Sequence, residues 1–354
     1  MQPEMTPEIK IVRTRVKLHA VVPASPVQSE SGIREGLSIS QWVKRRLFSI
    51  AEEETTFARR GFRQGDPQIR QRLEKIGRCF VSGYHFALDG GNCSAALTSQ
   101  LAGAEAEFQG FAYEGAAMAL ALLDFMTPWK RGRLVAFLQG PGKPHIYMAS
   151  VGAGWAAARL PWTLNTILGR LHPLLRWLAV DGYGFHEGYF HWPRSLGRQE
   201  VPRRLQGYAR RAFDQGLGRS LWFVECADVE AAADRINRFE EHRRADLWCG
   251  MGLACAYAGA LDESGLKRLL HVSKGYRPQL AQGASFAAKA RSRAGNLAPH
   301  TQEACRLLCG MTAHEAVRLT EKTSEDLAFD GPEPAYEVWR RRVQQHFSQK
   351  GAGD

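Results

Sequence analysis

The chain has 354 residues, of which 44% are hydrophobic and 23% charged, and it carries a formal net charge of +11. Such a composition suits a soluble globular protein with a sizeable core, in one large or two ordinary domains. Seven cysteines without a CxxC exclude a disulfide framework and a zinc knuckle, no apolar run is long enough to cross a bilayer, and the acidic start Met1-Gln2-Pro3-Glu4 lacks an apolar signal core, so a reducing cytoplasm is the expected location.

Residues 1–36 read as a flexible tail. Within it Arg13, Arg15, Lys17 and His19 alternate with Thr14, Val16, Leu18 and Ala20, the pattern of a short edge strand, and Pro23-Ala24-Ser25-Pro26 breaks it. Ser40 then caps an expected helix to Ala51, with Trp42, Val43, Leu47 and Phe48 as its buried stripe. After Phe57-Ala58-Arg59-Arg60-Gly61-Phe62, Pro67 opens a helix whose Ile69, Leu73, Ile76, Phe80 and Gly83 share one face, and Asp89-Gly90-Gly91-Asn92 stops it. A further helix is expected over residues 93–105. The small-residue stretch 112–119 permits tight helix contact, and Pro128 and Gly140-Pro141-Gly142 mark loops. Gly152-Ala153-Gly154-Trp155 is not a phosphate loop, because no Gly-Lys-Ser/Thr follows. Residues 161–179 form an apolar helical run, and residues 335–349 a final basic helix behind Pro334.

The clusters Arg203-Arg204, Arg210-Arg211 and Arg340-Arg341-Arg342 sit beside apolar residues in helical segments. Solvated helix faces are the simplest reading, with an anionic partner as the alternative. Cys305 and Cys309 share a helix face and read as small buried apolar residues.

The second half echoes the first. A shift of 135 places Gly83 on Gly218 and Gly115 on Gly250; a shift of 128 brings the 57–62 motif to residues 185–190 and His186-Glu187 to His314-Glu315. Two tandem helical units are expected at 37–160 and 161–330, with a partial third and a C-terminal basic helix and tail at 331–354. Strand-like runs are scarce, so the expected fold is all-α, packed as one globular body.

One stretch concentrates groups able to do chemistry: Asp181-Gly182-Tyr183-Gly184-Phe185-His186-Glu187-Gly188-Tyr189-Phe190-His191. Gly182 and Gly184 suit a turn, with a helix starting near Gly184. Glu187 and His191 would then lie one turn apart on one face. His186 titrates near neutrality and would act as base or acid with Glu187 or Asp181 as its orienter, and together with His191 these residues make a proton-transfer site. The spacing is one residue longer than that of HExxH, so the histidines leave a single face. No metal is assigned; one would need donors from elsewhere, such as His85, Glu114 or His314. Tyr183, Phe185, Tyr189 and Phe190 are candidate substrate-lining aromatics, with Tyr84 and His85 beside Gly83. Glu114 interrupts an apolar stretch and needs a partner or a raised pKa; Arg59 or Arg60 is the expected partner. Cys249 stands at the position equivalent to Glu114 in the second unit.

The 57–62 motif, then Arg72-Leu73-Glu74-Lys75-Ile76-Gly77 with Phe80 and Gly83-Tyr84-His85, and Asp181-Gly182-Tyr183-Gly184-Phe185-His186 together resemble the bacterial family called domain of unknown function 1702, over about residues 40–330. Members are encoded beside iterative polyketide synthases in enediyne gene cassettes and in other clusters. The resemblance implies a cytoplasmic role in making or modifying a polyene-derived natural product, and it carries no catalytic residues across. The expected function is an enzyme acting on a hydrophobic polyene intermediate by acid/base chemistry. The alternative is a non-catalytic scaffold that holds such an intermediate or docks a polyketide synthase, a carrier protein or a membrane surface. Nucleic acid ranks last, and no cofactor is assigned.

Overall fold

The computed structural model describes residues 45–350, apart from 47, 93, 128, 130 and 328. Every regular element among them is helical, as the scarcity of strand patterns leads one to expect. The tail with its 13–22 alternation, Ser40, Trp42, Val43, Leu47, Cys93 and Pro128 lie outside the described residues, as do residues 351–354.

Local sequence explains where the long helices begin and end. Asp66 accepts hydrogen bonds from the Gln68 and Ile69 amides, Pro67 occupies the first turn, and Gly91 closes the far end at φ +67°, giving α1 over Pro67–Gly90. Six long helices follow: α2 Gln109–Met126, α3 Ile146–Arg159, α4 Trp177–Phe190, α5 Tyr208–Val224, α6 Glu241–Ala258 and α7 Arg277–Ala294. A capping box between Thr312 and Glu315 starts α8, Ala313–Thr323. The last helix, α9, spans Ala335–Lys350. Shorter turns and helices connect them.

Helices α1 to α7 pack in chain order, each against the next. Glycine sits at every crossing. Gly83 and Gly115 join α1 to α2, and Gly152 joins α2 to α3; Gly154 and Gly182 join α3 to α4. Gly184 and Gly216 do the same for α4 and α5, Gly218 and Gly250 for α5 and α6, Gly252 and Gly283 for α6 and α7. At each of these positions a Cβ would strike a backbone carbonyl oxygen of the neighbouring helix. Only a residue without a Cβ permits that approach, and it brings Cα–H groups onto carbonyl oxygens, a weak but repeated attraction. The positions matched by the 135-residue shift make like contacts: Gly83 and Gly218 face the following helix, Gly115 and Gly250 the preceding one. Their neighbours in the ladder do likewise, so the glycine period is one helix.

This ladder corrects the expected turn at Gly182-Tyr183-Gly184. α4 runs unbroken from Trp177 to Phe190, because those glycines admit the Val151 and Phe213 carbonyls instead of reversing the chain. The run at 161–179 is likewise interrupted. Pro161–Thr163 and Leu164–Arg170 are separate short helices before α4, and the helix expected over 93–105 is observed at Ala95–Ala102.

The arginine clusters are only partly solvated. Arg203, Arg204, Arg341 and Arg342 are exposed, whereas Arg340 is fully buried and pairs with Asp246, at 2.6 Å, and with Glu337. Cys305 and Cys309 are buried in a single wide turn, Cys305–Cys309. Buried Arg291 of α7 donates to the Tyr257 and Glu107 carbonyls, and Asn296 donates to Ala106 O at 2.9 Å. These bonds tie the end of α7 to the entrance of α2. No described helix is long and apolar enough to cross a membrane.

Candidate functional site

Helices α1 to α5 enclose a cavity of about 40 Å³. Its walls are aromatic: Phe80 from α1, Trp155 from α3, Phe185 and Phe190 from α4 and Phe223 from α5. Trp155 packs against Phe80 with ring centroids 4.5 Å apart and meets Phe185 edge-on at 5.2 Å. Ile50, Glu54 and Thr55 cover one side.

Glu114 of α2 enters this apolar lining. It is buried, and its Oε1 has no hydrogen-bond partner. Burial pushes its carboxyl up to about 8; Arg219 opposes the rise, Asp181 adds to it, and the Trp155 indole opposes it slightly. Glu114 is therefore mostly a neutral acid at neutral pH. The cation that acts on it is Arg219 of α5 and not the expected Arg59 or Arg60. Those two pair with Glu54, at 3.1 and 2.5 Å, because the 57–62 segment folds back over the end of α4.

That fold-back brings the motif stretches together. Arg60 donates to Phe190 O at 2.7 Å and lies over the Phe190 ring, Trp192 Nε1 donates to Arg60 O at 3.0 Å, and Phe62 meets Tyr189 edge-on. Glu74 of α1 accepts from the Phe57 amide at 2.9 Å.

The structure divides the residues singled out in the sequence. Phe185, Tyr189, Phe190 and Glu114 line the cavity. Tyr84 is buried and donates to Phe48 O at 2.7 Å. His85 accepts from the Ile50 amide at 3.3 Å and lies 3.2 Å from Ser49 Oγ. These two hold the covering segment and do not line the space beneath it. Tyr183 packs against Phe213. Asp181 does not orient His186: it forms a buried ion pair with Arg219 and accepts from Gln215 at 2.7 Å.

His186, Glu187 and His191 do come together. His186 Nδ1 lies 3.2 Å from Glu187 Oε1, the two imidazoles are 6.0 Å apart, and one ligand atom from each of the three falls within 4.8 Å of the others. Helical geometry alone would separate the histidines. They converge because α4 ends at Phe190 and His191 leaves the helix at φ −128°. His85, Glu114 and the exposed His314 are not part of the group. Burial lowers the pKa of His186, with Glu187 pulling the other way. The His186 ring packs on Trp155 and Phe190, so a ring's thickness separates the trio from the cavity.

A family model described as a protein of unknown function, DUF1702, matches residues 39–347. The chain belongs to the DUF1702 family. No curated protein and no solved structure matches it. The matched span takes in α1 to α8, the cavity and the trio, so the site lies within the DUF1702 region.

Sequence reasoning missed Arg219 and Trp155 as parts of this DUF1702 site. For Arg219 a signal existed: a lone cation between Gly218 and the apolar run Leu221-Trp222-Phe223 mirrors Glu114 in its own apolar stretch. Trp155 carried none, since a tryptophan after small residues reads as ordinary core.

Proposed function

We propose that the chain is an accessory enzyme of natural-product biosynthesis that moves a proton on a hydrophobic conjugated substrate, with Glu114 as the acid. One observation carries this reading: a fully buried carboxyl, with an oxygen that has no partner, in a cavity walled mainly by aromatic and aliphatic side chains. Acid/base catalysis works best when the group's pKa lies near the working pH, and Glu114 is placed near neutrality by burial. A proton given to one carbon of a polyene and another taken back from the same chain leave Glu114 as it began. Isomerisation or cyclisation therefore needs no co-reactant. Aromatic walls suit a flat conjugated chain. A cavity of about 40 Å³ holds only a few waters, so binding requires the segment from Ser49 to Thr55 to move outward. The enediyne or polyene polyketide class of substrate follows from the kind of gene cluster in which the resembling proteins are encoded. The two-unit division at 37–160 and 161–330 belongs to the same proposal: with Cys249 in place of Glu114, only the first unit carries the acid.

The test is complementation of a deletion in the encoding bacterium. Wild type restores the product; Glu114→Gln, nearly isosteric and unable to ionise, folds and does not restore it. Product formation by Glu114→Gln at the wild-type level would overturn the enzyme reading and favour the scaffold. For docking an anionic partner, an open cleft lined by Arg198, Arg210, Arg211 and Arg243 is available. Arg211 and Arg243 there are already paired with Asp246 and Asp214, which weakens the cleft's pull on an anion.

A further inference from the structure

We propose that His186, Glu187 and His191 bind one divalent first-row transition-metal ion at the C-terminal end of α4. The donor set is two imidazoles and one carboxylate, a combination that holds zinc or ferrous iron and leaves coordination positions open for water or substrate. Their ligand atoms already lie within 4.8 Å of one another. Around a shared ion at about 2.1 Å they would stand roughly 3–3.5 Å apart, which small side-chain rotations supply.

The backbone beneath the trio is fixed by bonds that do not involve the ligand atoms. His191 N donates to Glu187 O at 2.9 Å, and Ser195 Oγ reaches Glu187 O at 2.8 Å and His191 O at 3.1 Å. Ser195 sits in the wide turn Pro193–Gly197 directly after the cluster. Both carbonyls also accept backbone amides, Glu187 O from His191 and His191 O from Arg194 and Ser195, so the three side chains project from a held frame. Burial is graded: His186 is buried, Glu187 intermediate and His191 exposed. An ion can therefore enter from solvent at His191 and be held against the packed ring of His186. Arg159 lies near enough to act on His186, and the Glu187 carboxylate offsets that charge.

Because His186 packs against Trp155 and Phe190, a bound ion would lie just behind the cavity wall. The assignment stands apart from the role given to Glu114. A metal site with an inert Glu114, and an active Glu114 without a metal site, are separate outcomes.

The experiment uses the full chain without an affinity tag, stripped with a chelator and dialysed. Zn²⁺ is titrated by calorimetry, and Co²⁺ by its visible absorption. One ion per chain should bind, with added Zn²⁺ raising the melting temperature of the wild type. His191→Ala and Glu187→Gln should each weaken binding roughly tenfold or more and abolish the Zn²⁺-induced melting shift. His314→Ala, an exposed histidine on α8, should bind as wild type. Absence of one-equivalent binding, or binding that survives either the His191 or the Glu187 substitution, overturns the proposal. Melting curves of both variants without metal establish that they are folded.

Discussion

Glu114 illustrates how a single side chain sets a pH dependence. Its folded pKa of about 8 stands above the ordinary 4.5. The folded state therefore keeps a proton that the unfolded chain releases. Below 4.5 the group is neutral in both states and costs nothing through ionisation; between 4.5 and 8 stability falls as pH rises. At about 1.4 kcal/mol per pH unit this amounts to roughly 3 kcal/mol by pH 7. Glu114→Gln removes the ionisation. Its melting temperature should match wild type near pH 5 and exceed it by several degrees near pH 8, at roughly 1–2 °C per kcal/mol for a chain of this length. A difference between the two proteins that stays constant from pH 5 to pH 8 would refute the buried-acid assignment.

Among the elements, the glycine ladder makes the sharpest demand. Gly184→Ala would drive a Cβ into the Phe213 carbonyl. Overpacking of this kind costs about 1–3 kcal/mol or more, since neither helix backbone can give way alone. Gly169, on the exposed side of the helix Leu164–Arg170, has nothing within 4 Å of its would-be Cβ, so Gly169→Ala should stabilise by about 0.4–1 kcal/mol. Urea unfolding of both variants checks the pair, and equal effects would mean that the crossings are looser than described. Legibility follows the same line. Pro67 and Gly91 mark the ends of α1 in the sequence, because end signals are local chemistry. Gly182 and Gly184 were open to a turn reading because a glycine needed for positive φ and one needed for close approach look alike until the neighbouring helix is known. Phe185, Tyr189 and Phe190 were legible as an aromatic cluster, and they line the cavity. Arg219, whose charge acts on Glu114, lies about a hundred residues along the chain, and no spacing rule reaches it.

For the molecule as a whole, the histidines oppose Glu114. Burial lowers His145 and His300 to about 4 from the ordinary 6.5. His145 stacks on Tyr113 at 4.0 Å, and His300 Nε2 donates to Tyr257 O at 3.1 Å while its Nδ1 lies 3.4 Å from an Arg72 nitrogen, which suits the neutral ring. The unfolded chain takes up these protons first, so stability falls as pH drops from 6.5 toward 4, by on the order of 3 kcal/mol per buried ring. With Glu114 eroding stability on the alkaline side, the urea midpoint should peak close to pH 6.5. A midpoint that climbs steadily from pH 5 to pH 8 would contradict this balance.

The crossings that exclude side chains also restrict how the interior can be reached. Where backbone lies on backbone, neither helix can roll or slide without a clash, so α1 to α7 form a frame with little freedom to breathe. The covering stretch from Ser49 to Thr55 is held differently, by side chains: His85 on the Ile50 amide, Arg59 and Arg60 on the Glu54 carboxylate, and Thr55 against Gly77. The compliance of the region around the cavity is concentrated there, and a guest would enter by peeling back a short strap, with the frame left unmoved.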